Sequence, residues 1–250
     1  MTEFAELVNG RLGIFEMPHG GQARPDFEVH GTTVLALRFE GGVITLADRR
    51  ATAGSLIMYD QAEKIVPLDD TTVVAISGAF ARSVEICRFL KHSFKYYRRS
   101  VLHEMSLEGK LTEISRALAG NAPMAMQGIG LFLPIVAAYD RKRDEFGVYF
   151  FDGAGARFQN GSYACAGSGS ERIRGVFEYI ARIQGHFEAR PFREVLKDGL
   201  TMLDIAADLD SATGGFSKTL PVARVLDRDG NREISEPELR SAAQEVLNLK

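Results

Sequence analysis

Three residues of the types that can make a nucleophile site without histidine or cysteine stand at a regular interval: Thr32, Asp48 sixteen residues later, and Lys64 thirty-two residues later. A threonine hydroxyl is a weak nucleophile and needs an adjacent base. Thr32 follows Gly31, and scission of the bond between them would give Thr32 a free α-amino group as that base. Such an amine has an ordinary pKa of about 8, and a neighbouring ammonium lowers it further. Asp48 would keep Lys64 charged and in place. Gly31 tolerates the strained backbone that attack on the preceding carbonyl requires. Taken singly, Gly31-Thr32-Thr33 reads as a turn entering a strand, Lys64 as a surface lysine, and Asp48 as a turn residue beside Arg49 and Arg50. The combination singles them out.

Other chemistry is poorly supported. The five histidines (His19, His30, His92, His103 and His186) have no metal-ligand spacing. There is no Gly-x-Ser-x-Gly elbow and no phosphate loop. Cys87 and Cys165 sit among apolar neighbours and read as buried thiols. Asp227 to Leu239 imitates a calcium loop. Its sixth position, where the sharp turn needs glycine, is Arg232, and the segment entering it reads as a strand rather than a helix. A hairpin turning at Asp229-Gly230 is expected there.

The elements that must position these residues follow from pattern. Thr33–Phe39 and Val43–Ala47 read as strands joined by a hairpin at Glu40-Gly41-Gly42, and Thr71–Ser77 as a further strand. Helices are expected at about Ala81–Arg98, whose basic end suits a helix C-terminus, and at Leu107–Leu118. Strands at Ile129–Tyr139, Gly147–Phe151 and Ser162–Ala166 come next. Helices at Glu171–Gln184 and Pro191–Ala207, a hairpin of Val222–Leu226 with Glu233–Ser235, and a closing helix at Glu236–Leu247 complete the chain. Strands and helices come in clusters, not in βαβ alternation. That order predicts an α+β domain of two antiparallel sheets packed face to face with helices outside.

At 250 residues the chain is long enough for one well-buried domain. Its net charge of −3 argues against nucleic acid as a partner. No apolar stretch approaches the roughly 20 residues of a membrane helix. The first 31 residues lack the apolar core of a secretory signal and contain Pro18-His19-Gly20-Gly21. They read as a leader.

Several motifs in register give this chain a resemblance to one family. Residues 31–52, Glu63-Lys64-Ile65, Ile76-Ser77-Gly78, Ala166-Gly167-Ser168-Gly169-Ser170 and Ala207-Asp208-Leu209-Asp210-Ser211-Ala212-Thr213-Gly214-Gly215 resemble proteasome β subunits of the bacterial, actinobacterial type, from about Gly31 to about Leu239. The resemblance implies a four-layer αββα sandwich and an N-terminal-nucleophile threonine endopeptidase. It implies a propeptide of residues 1–31, removed by autocatalytic cleavage between Gly31 and Thr32, and one catalytic domain over residues 32–250. Thr32, Asp48 and Lys64 would be catalytic, with the Gly78 N–H as oxyanion donor, Ser168 by the amino group, and Asp210 and Thr213 matching the family's Asp-x-x-Ser pair at the same site. Thr213 stands where the family pattern has serine. Ala51, Thr52, Ala62, Val66, Ile76 and Phe80 would line the pocket for the residue before the cut. No cofactor or metal is implied. The implied partners are identical subunits in a seven-membered ring, α-type subunits, an ATPase unfoldase ring and protein or peptide substrates, in the cytoplasm. The alternatives are a noncatalytic ring subunit and a small-molecule amidase of the same fold.

Overall fold

The computed structural model describes residues 31–54, 56–216 and 218–248. The leader expected before Gly31 therefore lies outside the described residues, Gly31 apart. Twelve strands and five α-helices are described. Strands β1 (Thr33–Phe39) and β2 (Gly42–Ala47) form the expected hairpin, with Phe39 opposite Gly42. β3 (Ala51–Ala53) and β4 (Leu56–Tyr59) make a separate small ribbon. β5 (Ile65–Asp69), β6 (Thr72–Ala75), α1 (Phe80–Val101) and α2 (Leu107–Ala125) follow. Then come β7 (Ile135–Asp140), β8 (Glu145–Phe151), β9 (Arg157–Asn160), β10 (Tyr163–Gly167), α3 (Ser170–Gln184) and α4 (Phe192–Leu209). β11 (Val222–Asp227), β12 (Gly230–Glu233) and α5 (Glu236–Leu247) end the chain.

Two five-stranded antiparallel sheets form, in the orders β10-β1-β2-β11-β12 and β5-β6-β7-β8-β9. Alternation along β1 explains the layering. Val34 and Ala36 face the second sheet and meet Ile65, Val73, Ala75 and Ala137. Leu35 and Leu37 face the opposite way, onto Phe177 of α3 and Val195, Leu200 and Leu203 of α4. On the far side of the second sheet, Val74, Ile76 and Val136 pack under Ile86 and Leu90 of α1 and Leu111 and Ile114 of α2. Both faces of each sheet are thus covered, which is why β1 and β2 read as near-continuous apolar runs. This is the α+β, four-layer αββα arrangement expected from the sequence.

Four strands went unread in the sequence, among them the three-residue β3. β5 contains Pro67, which has no N–H to give, and its register slips between Pro67 and Asp69. β4 is short with every residue exposed, and β9 is a polar edge. The strand expected from Ile129 begins only at Ile135. Before it the chain turns through Gly128 and Gly130, both at positive φ, and touches the sheet through a single bridge from Phe132 to Gly78. The segment imitating a calcium loop is the β11–β12 hairpin, with Asp227 opposite Gly230.

α4 approaches the first sheet through Gly199, where an added Cβ would overlap Leu46 Cδ1 and come within 2.9 Å of Leu37 Cδ1. Gly199→Val should destabilise the protein by about 1–3 kcal/mol through overpacking, read as a lower urea midpoint. An unchanged midpoint would show that α4 does not seat on β1 and β2 at this glycine.

Candidate active site

The ends of five strands converge at one end of the sandwich. The register of β1 with β2 continues one step beyond Val34 and Ala47, so Thr33 meets Asp48, whose N–H bonds the Thr33 carbonyl at 3.2 Å. β10 ends with Gly167 opposite Thr33, and the next N–H, that of Ser168, bonds the Thr32 carbonyl at 2.9 Å. From the other sheet, Lys64 immediately precedes β5. Its carbonyl takes the Ile76 N–H at 2.7 Å, where β6 runs out. Sequence separations of sixteen and thirty-two thereby become contacts.

Lys64 is completely buried. Its Nζ donates to Asp48 Oδ1 at 2.7 Å, to the Arg50 carbonyl at 2.5 Å and to the Gly31 carbonyl at 3.4 Å. Those acceptors match the three protons of an ammonium. Burial pulls the Lys64 pKa below its ordinary value of 10.5, the Asp48 carboxylate opposes that pull, and the Arg50 cation adds to it. Asp48 is as buried as its partner. Its Oδ1 also accepts the Thr33 N–H at 2.9 Å, and its Oδ2 accepts the N–H groups of Arg50 at 3.0 Å and Gly214 at 2.9 Å.

Thr32 is buried, and its hydroxyl donates to the Gly31 carbonyl oxygen at 2.6 Å. The hydroxyl and the lysine thus meet on one carbonyl group, that of the bond preceding Thr32. Gly31 itself has no room for a side chain: a Cβ there would overlap Thr52 Oγ1 and lie 3.0 Å from Ala212 Cβ.

A second carboxylate lies on the other side of Thr32. Asp210 Oδ2 accepts hydroxyl bonds from Ser168 and Thr213, each at 2.6 Å. Burial raises the Asp210 pKa, but these two hydroxyls and the Ala212 N–H outweigh it and hold the carboxyl below its usual range. Thr213 spends its proton on Asp210, so at 2.6 Å it accepts from Thr33 Oγ1, which in turn accepts the Gly169 N–H at 3.2 Å. Ser168 Oγ also reaches the Thr32 carbonyl, at 3.5 Å.

Gly78 follows β6 by three residues and precedes α1. Its φ of +102° and the nearness of the Leu131 carbonyl, which a Cβ would overlap, both exclude a side chain. Ala79 donates to Leu131 O at 2.7 Å and Leu133 to Ser77 O at 2.9 Å. Gly78 and Phe132 are therefore the non-hydrogen-bonded pair of their bridge, and the Gly78 N–H points away from Phe132. α1 begins without a side-chain cap or an acidic residue in its first turn, so its positive end is left for an anion.

Of the expected pocket residues, Ala51, Thr52, Ala62 and Ile76 are buried, and Val66 and Phe80 are half-buried in the apolar cluster that contains Ile76. Thr52 is the one that abuts Gly31. A cavity of about 1130 Å³ lies elsewhere, between Tyr163, Cys165 and Arg174, towards the Leu37 end of β1. Its walls pair the Ser162 hydroxyl with Glu188 and the Tyr163 hydroxyl with Glu178, and burial pushes the Cys165 thiol up to about 11, as it pushes Cys87 up to about 12. Among the described residues no group of histidine, cysteine and carboxylate side chains could hold a metal ion, and no helix is long and apolar enough to cross a membrane.

Two residues at the centre escaped the sequence reading. Thr33 bonds Asp48 through its N–H and reaches Asp210 through Thr213, bridging the two carboxylates one peptide from Thr32. Arg50 offers Lys64 its carbonyl, while its guanidinium holds the carbonyls of Ser211 and Thr213 at 3.1 and 3.2 Å. The one available signal for Arg50 was its place two residues after Asp48, the spacing of an Asx turn.

The family described as "Proteasome subunit" matches residues 28–245. The chain is similar to "Proteasome subunit beta" of Acidimicrobium ferrooxidans, 35% identical over 98% of this chain and 88% of that one. It is also similar to the proteins of the same description from Acidothermus cellulolyticus, 33% identical over 97% and 82%, and Streptomyces griseus, 31% identical over 94% and 84%.

Asp48→Asn removes the charge that opposes the desolvation of Lys64. Leaving one partner of a buried pair uncompensated costs about 3–5 kcal/mol, and chemical denaturation at pH 7 should show a loss of that size. The sign of its pH dependence follows from the lowered Lys64 pKa. The unfolded chain holds a proton that the folded site resists, so stability gains with rising pH until the ordinary 10.5. The deficit of the variant should shrink as pH rises from 7 towards 10. A deficit that grows with pH would mean that Lys64 is not the group left stranded.

Proposed function

Because the chain belongs to the proteasome subunit family, we propose that it is a catalytic β-type subunit, a threonine endopeptidase made as a precursor. The observation that carries this reading is the meeting of the Thr32 hydroxyl and the Lys64 amine on the Gly31 carbonyl. In the precursor, Thr32 Oγ1 bonds to the Gly31 carbonyl carbon. The Gly31–Thr32 C–N bond breaks, and the Thr32 nitrogen takes up the hydroxyl proton. Water then hydrolyses the resulting ester. The propeptide of residues 1–31 leaves as a carboxylate, and the domain of residues 32–250 begins with a free amine.

That amine is the base for peptide hydrolysis. It takes the Thr32 hydroxyl proton as Oγ1 bonds to the scissile carbonyl carbon, and passes it to the departing amine. Water deacylates the enzyme with the proton moving in the same way. Lys64 supplies a fixed positive field that lowers the pKa of the amine and hydroxyl, and Asp48 holds Lys64. The Gly78 N–H, at the positive end of α1, stabilises the oxyanion. Ser168, Asp210 and Thr213 orient the amino group. The family assembles in rings with α-type subunits. For this chain we place identical copies in seven-membered β rings in the cytoplasm, served by an ATPase unfoldase that feeds them protein substrates.

Thr32→Ala should retain the leader and lose peptidase activity. Lys64→Ala should slow both processing and hydrolysis about a hundredfold or more, roughly 3 kcal/mol. N-terminal sequencing and peptide assays read both. A purified particle whose chains begin at any residue other than Thr32 would sink the processing mechanism. Hydrolysis of small amides but not peptides would make the protein an amidase instead.

Specificity follows from the pocket of Ala51, Thr52, Ala62, Val66, Ile76 and Phe80. None carries a charge, and burying an unpaired charge among them is unfavourable. A peptide library should give fastest cleavage after apolar residues. Strongest cleavage after Arg or Asp would overturn the pocket assignment.

A further inference from the structure

Asn121 is a polar side chain one turn before the C-terminal end of α2, 1% exposed. Both ends of its amide are used. Oδ1 accepts Arg82 Nε at 2.7 Å, and Nδ2 donates to the Gly130 carbonyl at 2.7 Å. Arg82 lies in the first turn of α1, four residues after Gly78, and its other branch pairs with Glu85 at 2.6 Å. Gly130 immediately precedes Leu131, whose carbonyl takes the Ala79 N–H and blocks a side chain at Gly78. One amide therefore joins three pieces: the start of α1, the C-terminal part of α2, and the loop of residues 126–134 that lies along Ser77, Gly78 and Ala79.

From this juxtaposition we infer that Asn121, with Arg82, is a positioning residue that fixes the direction of the Gly78 N–H. The inference rests on Gly78 being the oxyanion donor of the proposed reaction. The loop is bonded to the Ser77–Ala79 segment through the backbone of Leu131 and Leu133. A residue at φ +102° keeps that conformation only while its surroundings over-determine it. Phe132, buried beneath the bridge, supplies packing but no direction. The Asn121 amide supplies direction, because it fixes the Gly130 carbonyl and so the next peptide, whose oxygen receives Ala79. The effect is on the transition state, where charge develops on the oxygen facing Gly78, and not on the binding of uncharged substrate.

Asn121→Asp keeps the shape and the acceptor for Arg82 but sets a carboxylate oxygen against the Gly130 carbonyl. Arg82→Met keeps the half-exposed stem and removes the guanidinium. Both are made in the full chain, with melting and particle assembly recorded. The inference expects kcat for a peptide substrate to fall roughly ten- to hundredfold in Asn121→Asp, less in Arg82→Met, with KM within about twofold of the parent. It also expects faster amide hydrogen exchange at Ala79 and Leu133, the two N–H groups that zip the loop to the Gly78 segment. Where Asn121→Asp does not fold, Arg82→Met decides. Folded variants with parental kcat, or with parental protection at Ala79 and Leu133, overturn it. The exchange readout needs no activity. A parent protein without Thr32-dependent hydrolysis would refute the proposed reaction, and unchanged exchange would refute the clamp.

Discussion

A lysine and an aspartate sealed from solvent at 2.7 Å are the constraint on which this end of the molecule depends. Removing two charges from water is expensive, and a buried pair is at best weak evidence of stabilisation. Apolar residues would hold the two sheets together as well. What the pair adds is a fixed field at one point. Asp48 comes from the end of a strand in one sheet and Lys64 from the start of a strand in the other, so the sandwich must close in one register for them to meet. The remaining valences are all backbone: three N–H groups on Asp48 and two carbonyls on Lys64. Every chain segment around Thr32 is tied to one of these two side chains or to Asp210, which keeps the hydroxyl and the Gly31 carbonyl in register.

How much of this was legible depended on whether a residue's role is local. Val34-Leu35-Ala36-Leu37 announces a strand buried on both faces. The clustering of strands and helices announces layers. Thr32, Asp48 and Lys64 stood out through their spacing and a family resemblance. Pro67 hid β5 because it breaks the ladder that would define the strand. Ile129 to Leu133 looked like strand because they are apolar, yet Gly128 and Gly130 turn the backbone there. Thr33 and Asn121 were not legible at all, and Arg50 only through its spacing from Asp48. A threonine after a threonine, an arginine after an arginine and an asparagine in a helix are ordinary until their partners, up to 180 residues away, are in place.

The helix termini carry a related lesson. Four of the five described helices have a glutamate in the first turn: Glu108, Glu171, Glu194, and Glu236 with Glu238. α1 has none. An acid there would satisfy the helix end, but it would also fill the positive potential beside Gly78 with a permanent negative charge. On the proposed reaction that potential is wanted only when an oxyanion forms. The first turn instead carries Arg82, directed sideways to Asn121 and Glu85. Such a site gives up some helix stability for a field that acts at one moment of the reaction.

If the proposed function holds, the crowding at Gly31 separates its two reactions, which share one hydroxyl. In the proposed precursor cleavage the attacked carbonyl is tethered through the Thr32 nitrogen, so Gly31 has to follow the backbone between Thr52 and Ala212, and no Cβ fits. A peptide substrate has no such tether. On the proposed reaction it meets the same hydroxyl untethered, and nothing obliges its own side chain to lie between Thr52 and Ala212. The demand for glycine therefore belongs to the tethered cleavage alone and implies nothing about which residue is preferred before the cut in a substrate. A site can thus be strict towards its own chain and permissive towards others without any change in its catalytic residues.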